Sequence, residues 1–332
     1  MATKLRIFLL LVLVAVIAAA GAVYSVFAPC HKGDEALVLN IYPSTPLSEV
    51  RRQLDGGIGF DLACRLFKYG NPRTGHYVIP ARTSWLNVVR MLHNHTQQPV
   101  RLTLPSVRTL DQLASFLGSR LMADSADFAS VFHSAEGLDS IGYTEETLPP
   151  LFIPNTYEVW WDTPVPIFIG RMQREHDTFW NDERLSLARQ QGLTPVEVAT
   201  LASIIDEETA NNGEKPMVAG MYLNRLRTDM PLQADPTVKF ALKDFALRRI
   251  LHAHLAVESP YNTYINKGLP PGPIRIASVA SIDAVLHAVE HPYLYMCANS
   301  DFSGTHVFAV SYSDHLKNAR IYQRALNERN IH

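Results

Sequence analysis

The stretch TPVEVATLASIIDEET, residues 194–209, starts a helix and then ends it in three consecutive acids. Thr194 is placed to cap the helix, Pro195 takes its first position and Glu197 stands three residues after the cap, the pattern of a capping box. Val198, Ala199, Leu201, Ala202, Ile204 and Ile205 leave almost no polar face, which predicts a helix enclosed by a larger domain. Helical spacing then separates the acids. Glu208 lies three and four residues beyond Ile205 and Ile204 and seven beyond Leu201, so it extends the apolar stripe by one turn. Asp206 continues the side of Ala199 and Ala202, and Glu207 follows Ser203 and Ile204. Of the three, Glu208 is the candidate for a desolvated carboxyl, whose raised pKa lets it hold a proton near neutral pH. The plain alternative is a solvated acidic helix end.

Downstream, KPMVAGMYLNRLR predicts a second amphipathic helix from Pro216 to about Arg227. In LQADPTV, Asp235 is placed to cap a short helix beginning at Pro236. SPYNTYINKGLPPGPI, residues 259–274, is too irregular for a core helix and reads as a rigid loop that presents polar groups to a ligand. After residue 275 a helix, a hairpin around Ser303 and Gly304, and a final helix give an α+β ending. His93 and His95, like His252 and His254, stand two apart with no acid or cysteine cluster to complete a metal site, so no metal and no cofactor are expected.

Upstream, Lys4 and Arg6 precede an uncharged run at residues 7–28, and about 20 apolar residues cross a bilayer. The flanking charges orient residues 1–6 to the cytoplasm and everything beyond residue 30 outside it. Ala18, Ala19 and Ala20 offer a signal-peptide cleavage site, but the run continues through Val23, Val26 and Phe27, which favours a retained anchor. Residues 35–121 repeat a scheme of strand, turn and helix: ALVLNIYP with PLSEVRRQLDGG, then GHYVIPARTSWLNVVRMLHNH, then VRLTLPSVRTLDQLASFLGSRL. Residues 122–150 read as connecting helix and loop, with a domain boundary near residue 150 and a second domain over 151–332. The chain has 332 residues, 47% of them hydrophobic, enough for two domains with real cores. Its 30 Lys and Arg against 32 Asp and Glu exclude the basic footprint of a nucleic-acid binder. Cys30, Cys64 and Cys297 share no motif spacing and read as buried or incidental thiols, with one disulfide open to an oxidising compartment.

The ordered set LFIPNTY, LASIIDEET, VAGMYLNRLRTDMPLQADPTV, YNTY and GLPPGPI, over about residues 151–275, resembles the MltG (YceG-like) family of endolytic murein transglycosylases. The resemblance implies an α+β fold with an N-terminal transmembrane helix, small LysM-like α/β units and a mixed α+β YceG-like catalytic domain. It implies a single-pass protein of the bacterial inner membrane with its catalytic domain in the periplasm. The implied substrate is nascent peptidoglycan, cut at the β-1,4 bond from N-acetylmuramic acid to N-acetylglucosamine to leave 1,6-anhydromuramoyl ends. Cell-wall synthases and the divisome or elongasome are the implied neighbours.

The family's Glu-Lys-Glu-Thr stands here as DEET, so Glu208 and Thr209 match, whereas Asp206 and Glu207 depart. Glu208 is then the expected catalytic residue, with the charge of its two neighbours helping to keep it protonated. Ala234 and Asn155 also depart from the family pattern, at positions where a Ser or Thr and an acid are common. Gln233, Asp235, Asn262 and Tyr264 are the candidates for binding sugar hydroxyls or N-acetyl groups, with GLPPGPI as a cleft wall. Asn224 and Arg225 are expected to orient the Glu208 loop. Two rival readings are a lysozyme-like hydrolase with Asp235 as second carboxylate, and a membrane-anchored scaffold that binds peptidoglycan without cutting it.

Overall fold

The computed structural model describes residues 2–31, 33–247 and 249–329, so the last three positions of the expected second domain lie outside the described residues. Two compact units emerge. The first comprises Met1–Leu102, Arg120–Ala123 and Glu158–Pro164, and the second Thr103–Ser119, Asp124–Tyr157 and Val165–His332. The expected boundary near residue 150 does not coincide with this division. The reason is aromatic packing: Phe132 meets Phe152 at 5.7 Å and Phe128 meets Phe168 at 5.8 Å, so helices before residue 150 close onto residues after it.

The first unit opens with α1 (Ala2–Phe27), which contains a segment, Thr3–Phe27, long and apolar enough to cross a membrane at a mean hydropathy of 2.8. There follow β1 (Leu37–Ile41), α2 (Leu47–Gln53), α3 (Ile58–Phe67), β2 (Gly75–Ile79), α4 (Trp85–His93) and β3 (Val100–Thr103). Strands β1 and β2 pair antiparallel with Leu39 opposite Tyr77. Alternation turns Leu39, Ile41, Tyr77 and Ile79 to one buried face, against Val50 of α2, Phe60 of α3 and Val88 of α4. The repeated scheme of the sequence thus folds as one β-α-α-β unit followed by a helix. Gly56 and Gly57 turn the chain from α2 into α3. Gly59 lets α1 approach α3, since a Cβ there would stand 2.1 Å from the Ser25 carbonyl oxygen.

The second unit is mainly helical: α5 (Leu110–Gly118), α6 (Ser125–Phe132), α7 (Ala135–Ile141), then β4 (Thr156–Val159), α8 (Val165–Phe179) and α9 (Asp182–Gln191). The chain continues through α10 (Pro195–Glu208), α11 (Lys215–Arg227), α12 (Asp235–Leu242), α13 (Val279–Leu286), β5 (Tyr295–Ala298), β6 (His306–Ala309) and α14 (Tyr312–Glu328). Strands β5 and β6 form the expected hairpin. The fold is mixed α+β.

Helix α10 is the axis of this unit. Its capping box forms as the sequence specifies, with Thr194 N–H donating to Glu197 at 2.7 Å and Glu197 N–H to Thr194 Oγ1. All eight residues from Val198 to Ile205 are buried, packed on Val218, Met221 and Tyr222 of α11 and on Ile282, Val285 and Leu286 of α13. The segment GLPPGPI locks α10 from another side. Ile274 N–H donates to the buried Ser203 Oγ at 3.0 Å, and a Cβ at Gly272 would stand 2.2 Å from the Glu146 carbonyl oxygen.

Two of the three terminal acids hold this packing together. Asp206 accepts from Lys215 Nζ at 2.9 Å, from Ser278 N–H and Oγ at 2.6 and 2.7 Å, and from Ser281 Oγ at 2.6 Å. Burial alone would raise its pKa, but these donors outweigh burial and hold it below the ordinary carboxylate value. Glu207 takes a two-pronged bond from Arg108 at 2.8 and 2.9 Å and another from Arg275 at 2.8 Å. Replacing Asp206 with Ala strands the Lys215 ammonium, only 6% exposed, without its counter-charge. Loss of one partner of a buried ion pair costs about 3–5 kcal/mol, so urea denaturation of Asp206→Ala should show a drop of that order. A change under about 1 kcal/mol, the worth of an exposed pair, would mean that the bridge is solvated.

Candidate active site

Glu208 ends α10 where the packed core meets a cleft of about 300 Å³. Tyr222, 2% exposed on α11, donates its hydroxyl to Glu208 Oε1 at 2.8 Å. Burial is the main influence on the Glu208 carboxyl and pushes its pKa up to about 7. The Tyr222 bond opposes this by stabilising the charged form, the negative charge of Asp235 raises the pKa further, and His306 and Arg225 lower it. The charge that helps Glu208 keep its proton is therefore that of Asp235, a correction to the expectation for Asp206 and Glu207. Those two carboxylates are already matched by Lys215, Arg108 and Arg275.

Part of the cleft lining comes from the loop into α12 and the YNTY segment. Gln233 adopts a left-handed backbone, φ 50°, with its N–H on the Thr263 carbonyl at 3.0 Å, and its exposed side chain lines the cleft. Asp235 is the first residue of α12 and makes no capping bond. Its carboxylate instead accepts from the Tyr264 hydroxyl at 2.6 Å, and both residues line the cleft with Glu208. Burial, then the bond to Asp235, hold the Tyr264 phenol well above its usual pKa.

Asn262 is fully buried away from the cleft lining. Its amide donates to the Leu255 and Val257 carbonyls, both at 2.9 Å, and its oxygen accepts from Tyr264 N–H at 3.0 Å, so it fixes the loop that carries Tyr264. Thr209 is buried and uses its hydroxyl to accept from Asn211 N–H at 3.1 Å, shaping the turn after α10. Asn224 donates to the His291 and Tyr293 carbonyls, and Arg225 to those of Leu294 and Leu232. Both residues thus secure the approach to β5 and the loop before α12, in place of the expected hold on the Glu208 turn. Arg225 also lines the cleft.

The expected wall from GLPPGPI lies elsewhere, bracing α10 as described. The β5–β6 hairpin takes its place, contributing Met296, Cys297, Ala298 and His306. The hairpin is plain in the sequence, and its place in the cleft is not. The available signal was His306, a polar residue in the otherwise apolar strand HVFA. His315 of α14 completes this side, its ring against Tyr295 and its pKa lowered, chiefly by burial and further by Arg225. Among the described residues, no group of three or more His, Cys, Asp or Glu is arranged to hold a metal ion.

A half-buried carboxyl with a pKa near neutrality, facing a narrow polar cleft, is the apparatus of an acid catalyst. The chain belongs to the YceG-like family, whose model matches residues 41–321. An endolytic murein transglycosylase of Bacillus subtilis (strain 168) is 40% identical over 171 residues, 51% of this chain and 46% of that protein. An endolytic murein transglycosylase of Streptococcus pneumoniae serotype 2 (strain D39) is 26% identical over 294 residues, 79% of this chain and 53% of that protein. The chain thus spans about half the length of the curated relatives it matches. The crystal structure of a YceG-like protein from Listeria monocytogenes superposes with a TM-score of 0.57 at 27% identity, covering 86% of this chain and 99% of that one.

The electrostatics of the site have consequences for pH. Because the folded pKa of Glu208 is raised from 4.5 to about 7, the folded state holds a proton that the unfolded state has released between those values. The resulting stabilisation is fully present below pH 4.5 and is lost as pH rises through about 7. Denaturation of the wild type against Glu208→Gln across this range should show the wild type losing relative stability with rising pH. A parallel pair of curves would mean an ordinary carboxyl. Tyr222→Phe should move the Glu208 titration upward by removing a donor to the charged form, and Asp235→Asn downward by removing a negative charge. Shifts in the same direction would contradict these assignments.

Proposed function

We propose that the protein is an endolytic lytic transglycosylase of peptidoglycan, with Glu208 as its single acid and base. The observation that carries this reading is the proton-holding carboxyl of Glu208 at the floor of the cleft, in a chain of the YceG-like family. Relatives named endolytic murein transglycosylases support the substrate class. Glu208 donates its proton to the oxygen linking C1 of N-acetylmuramic acid to N-acetylglucosamine, and the C1–O bond breaks. The resulting carboxylate removes the proton from the C6 hydroxyl of the same muramoyl residue, whose oxygen closes on C1 to form the 1,6-anhydro ring. Closure is intramolecular, so positioning replaces a second protein nucleophile, and effective molarities of about 10⁵ M or more are accessible to well-oriented groups. Gln233, Asp235 and Tyr264 hold the saccharide from one wall.

The apolar helix α1 serves in this reading as a single-pass anchor of the bacterial inner membrane, with the rest of the chain in the periplasm beside cell-wall synthases. The β-α-α-β unit is the LysM-like part and guides glycan strands. Endolytic cleavage there releases nascent strands or limits their length.

One observation favours a second reading: Tyr264 holds the carboxylate of Asp235 on the same cleft, where it stands as the second carboxylate of a lysozyme-like hydrolysis. Mass spectrometry of digested glycan strands separates the two. The wild type is expected to release muropeptides with anhydro ends, one water lighter than hydrolysed ones. Glu208→Gln should remain folded and lose that product by about 10²-fold or more. Hydrolysed ends would move the assignment to the Asp235 mechanism, and full activity of Glu208→Gln would remove Glu208 from the chemistry. The acid must be protonated, so kcat/KM is expected to fall as pH rises beyond about 7.

A further inference from the structure

His306 opens β6 opposite Ala298 of β5 and lines the cleft that contains Glu208. A single carboxylate fixes it twice. Glu214, which precedes α11, accepts the His306 backbone N–H at 2.6 Å through one oxygen and meets the ring Nδ1 at 2.9 Å through the other. The two side chains are only 15% and 9% exposed, so this clamp is largely shielded from water. A carboxylate only accepts, so it takes the proton on Nδ1. In the neutral ring the other nitrogen, Nε2, is left with a lone pair, and among the described residues it has no protein partner. His306 and Glu208 line the same cleft.

We infer that Glu214 locks His306 in the Nδ1–H form so that Nε2 accepts a hydrogen bond from a hydroxyl of the bound saccharide, making His306 a substrate-contacting residue. The inference rests on the glycan-cleaving reading above. A sugar hydroxyl suits such an acceptor because it is a neutral donor with a free rotor, able to align with a lone pair whose direction the protein has fixed. No proton leaves the sugar here; Glu208 alone transfers protons. A fixed acceptor from the hairpin, in the cleft that Asp235 and Tyr264 also line, adds a further constraint on the ring. Such constraint is what intramolecular closure demands.

Two substitutions dissect the clamp. Asn at position 306 places an amide nitrogen where Nδ1 stands, preserving the bond to Glu214, but has no atom at the place of Nε2. Gln at position 214 keeps an oxygen for the His306 N–H and turns its amide NH₂ to Nδ1, which forces the ring proton onto Nε2 and turns the acceptor into a donor.

The measurement uses the full chain in detergent micelles, with soluble uncrosslinked glycan strands as the probe and Glu208→Gln as a non-cleaving background. Glu208→Gln/His306→Asn is expected to bind the strands about tenfold more weakly than Glu208→Gln, at an unchanged melting temperature, the loss of one hydrogen bond. Nitrogen NMR of ring-labelled histidine should find the native His306 proton on Nδ1, with His306→Asn identifying the signal, and Glu214→Gln should move it to Nε2. Equal affinities in the two backgrounds, or a native proton on Nε2, would overturn the inference. If strand binding responds as expected but the wild type leaves no anhydro ends, the catalytic reading fails and this one stands. If Glu208→Gln binds no strands, both fall.

Discussion

A carboxyl keeps its proton near neutral pH when its charged form is poorly hydrated, and Glu208, half-buried, ends a helix whose residues 198–205 are enclosed by the core. The eight consecutive buried residues of that helix commit α11 and α13 to flanking it, and the 268–274 segment to pinning Ser203. The cleft opens at the one end of α10 where this enclosure stops. Its remaining walls, the loop into α12 and the β5–β6 hairpin, are carried there by bonds from Arg225 and Asn224 on the neighbouring helix. A helix packed less completely would leave Glu208 an ordinary surface acid.

Three adjacent acids divide the work by their rotation about the helix. Asp206 faces α13 and the start of α11, where Lys215 and two serines meet it, and Glu207 faces Arg108 and Arg275. Both are structural, and their cations cancel the charge they would otherwise project on Glu208. Glu208 alone turns to the cleft, bonded to a neutral phenol that orients it without supplying a counter-charge. Three adjacent acids thus titrate differently: ion pairing lowers the pKa of Asp206, while burial, which outweighs the Tyr222 bond and the nearby His306 and Arg225, raises that of Glu208.

The helix and the half-buried acid at its end were legible in the sequence because both follow from local rules. Thr194, Pro195 and Glu197 mark the start through a capping box, and the spacing from Leu201, Ile204 and Ile205 singles out Glu208. Contacts between distant segments were not legible. Asp235 reads as a cap from its place before Pro236, yet it bonds to Tyr264, 29 residues away. Asn262 reads as a sugar ligand from its polar loop, yet three local bonds fill its amide. GLPPGPI looks like a cleft wall for its rigidity, and that rigidity serves α10. The hairpin wall escaped notice because a strand pattern tells which residues alternate and not which cavity they face. Gly56 and Gly57 form a turn between two helices, a connection set by the packing of α3 and not by the local pattern.

Proton donation requires that Glu208 be protonated at the pH where the enzyme would act. Carbon-13 NMR of side-chain-carboxyl-labelled glutamate in the full chain, with Glu208→Gln identifying the signal, reads this directly as a titration. A midpoint close to 7 is the predicted result. A midpoint at the ordinary 4.5 would contradict it, leaving Glu208 ionised in the cleft and without a proton to donate.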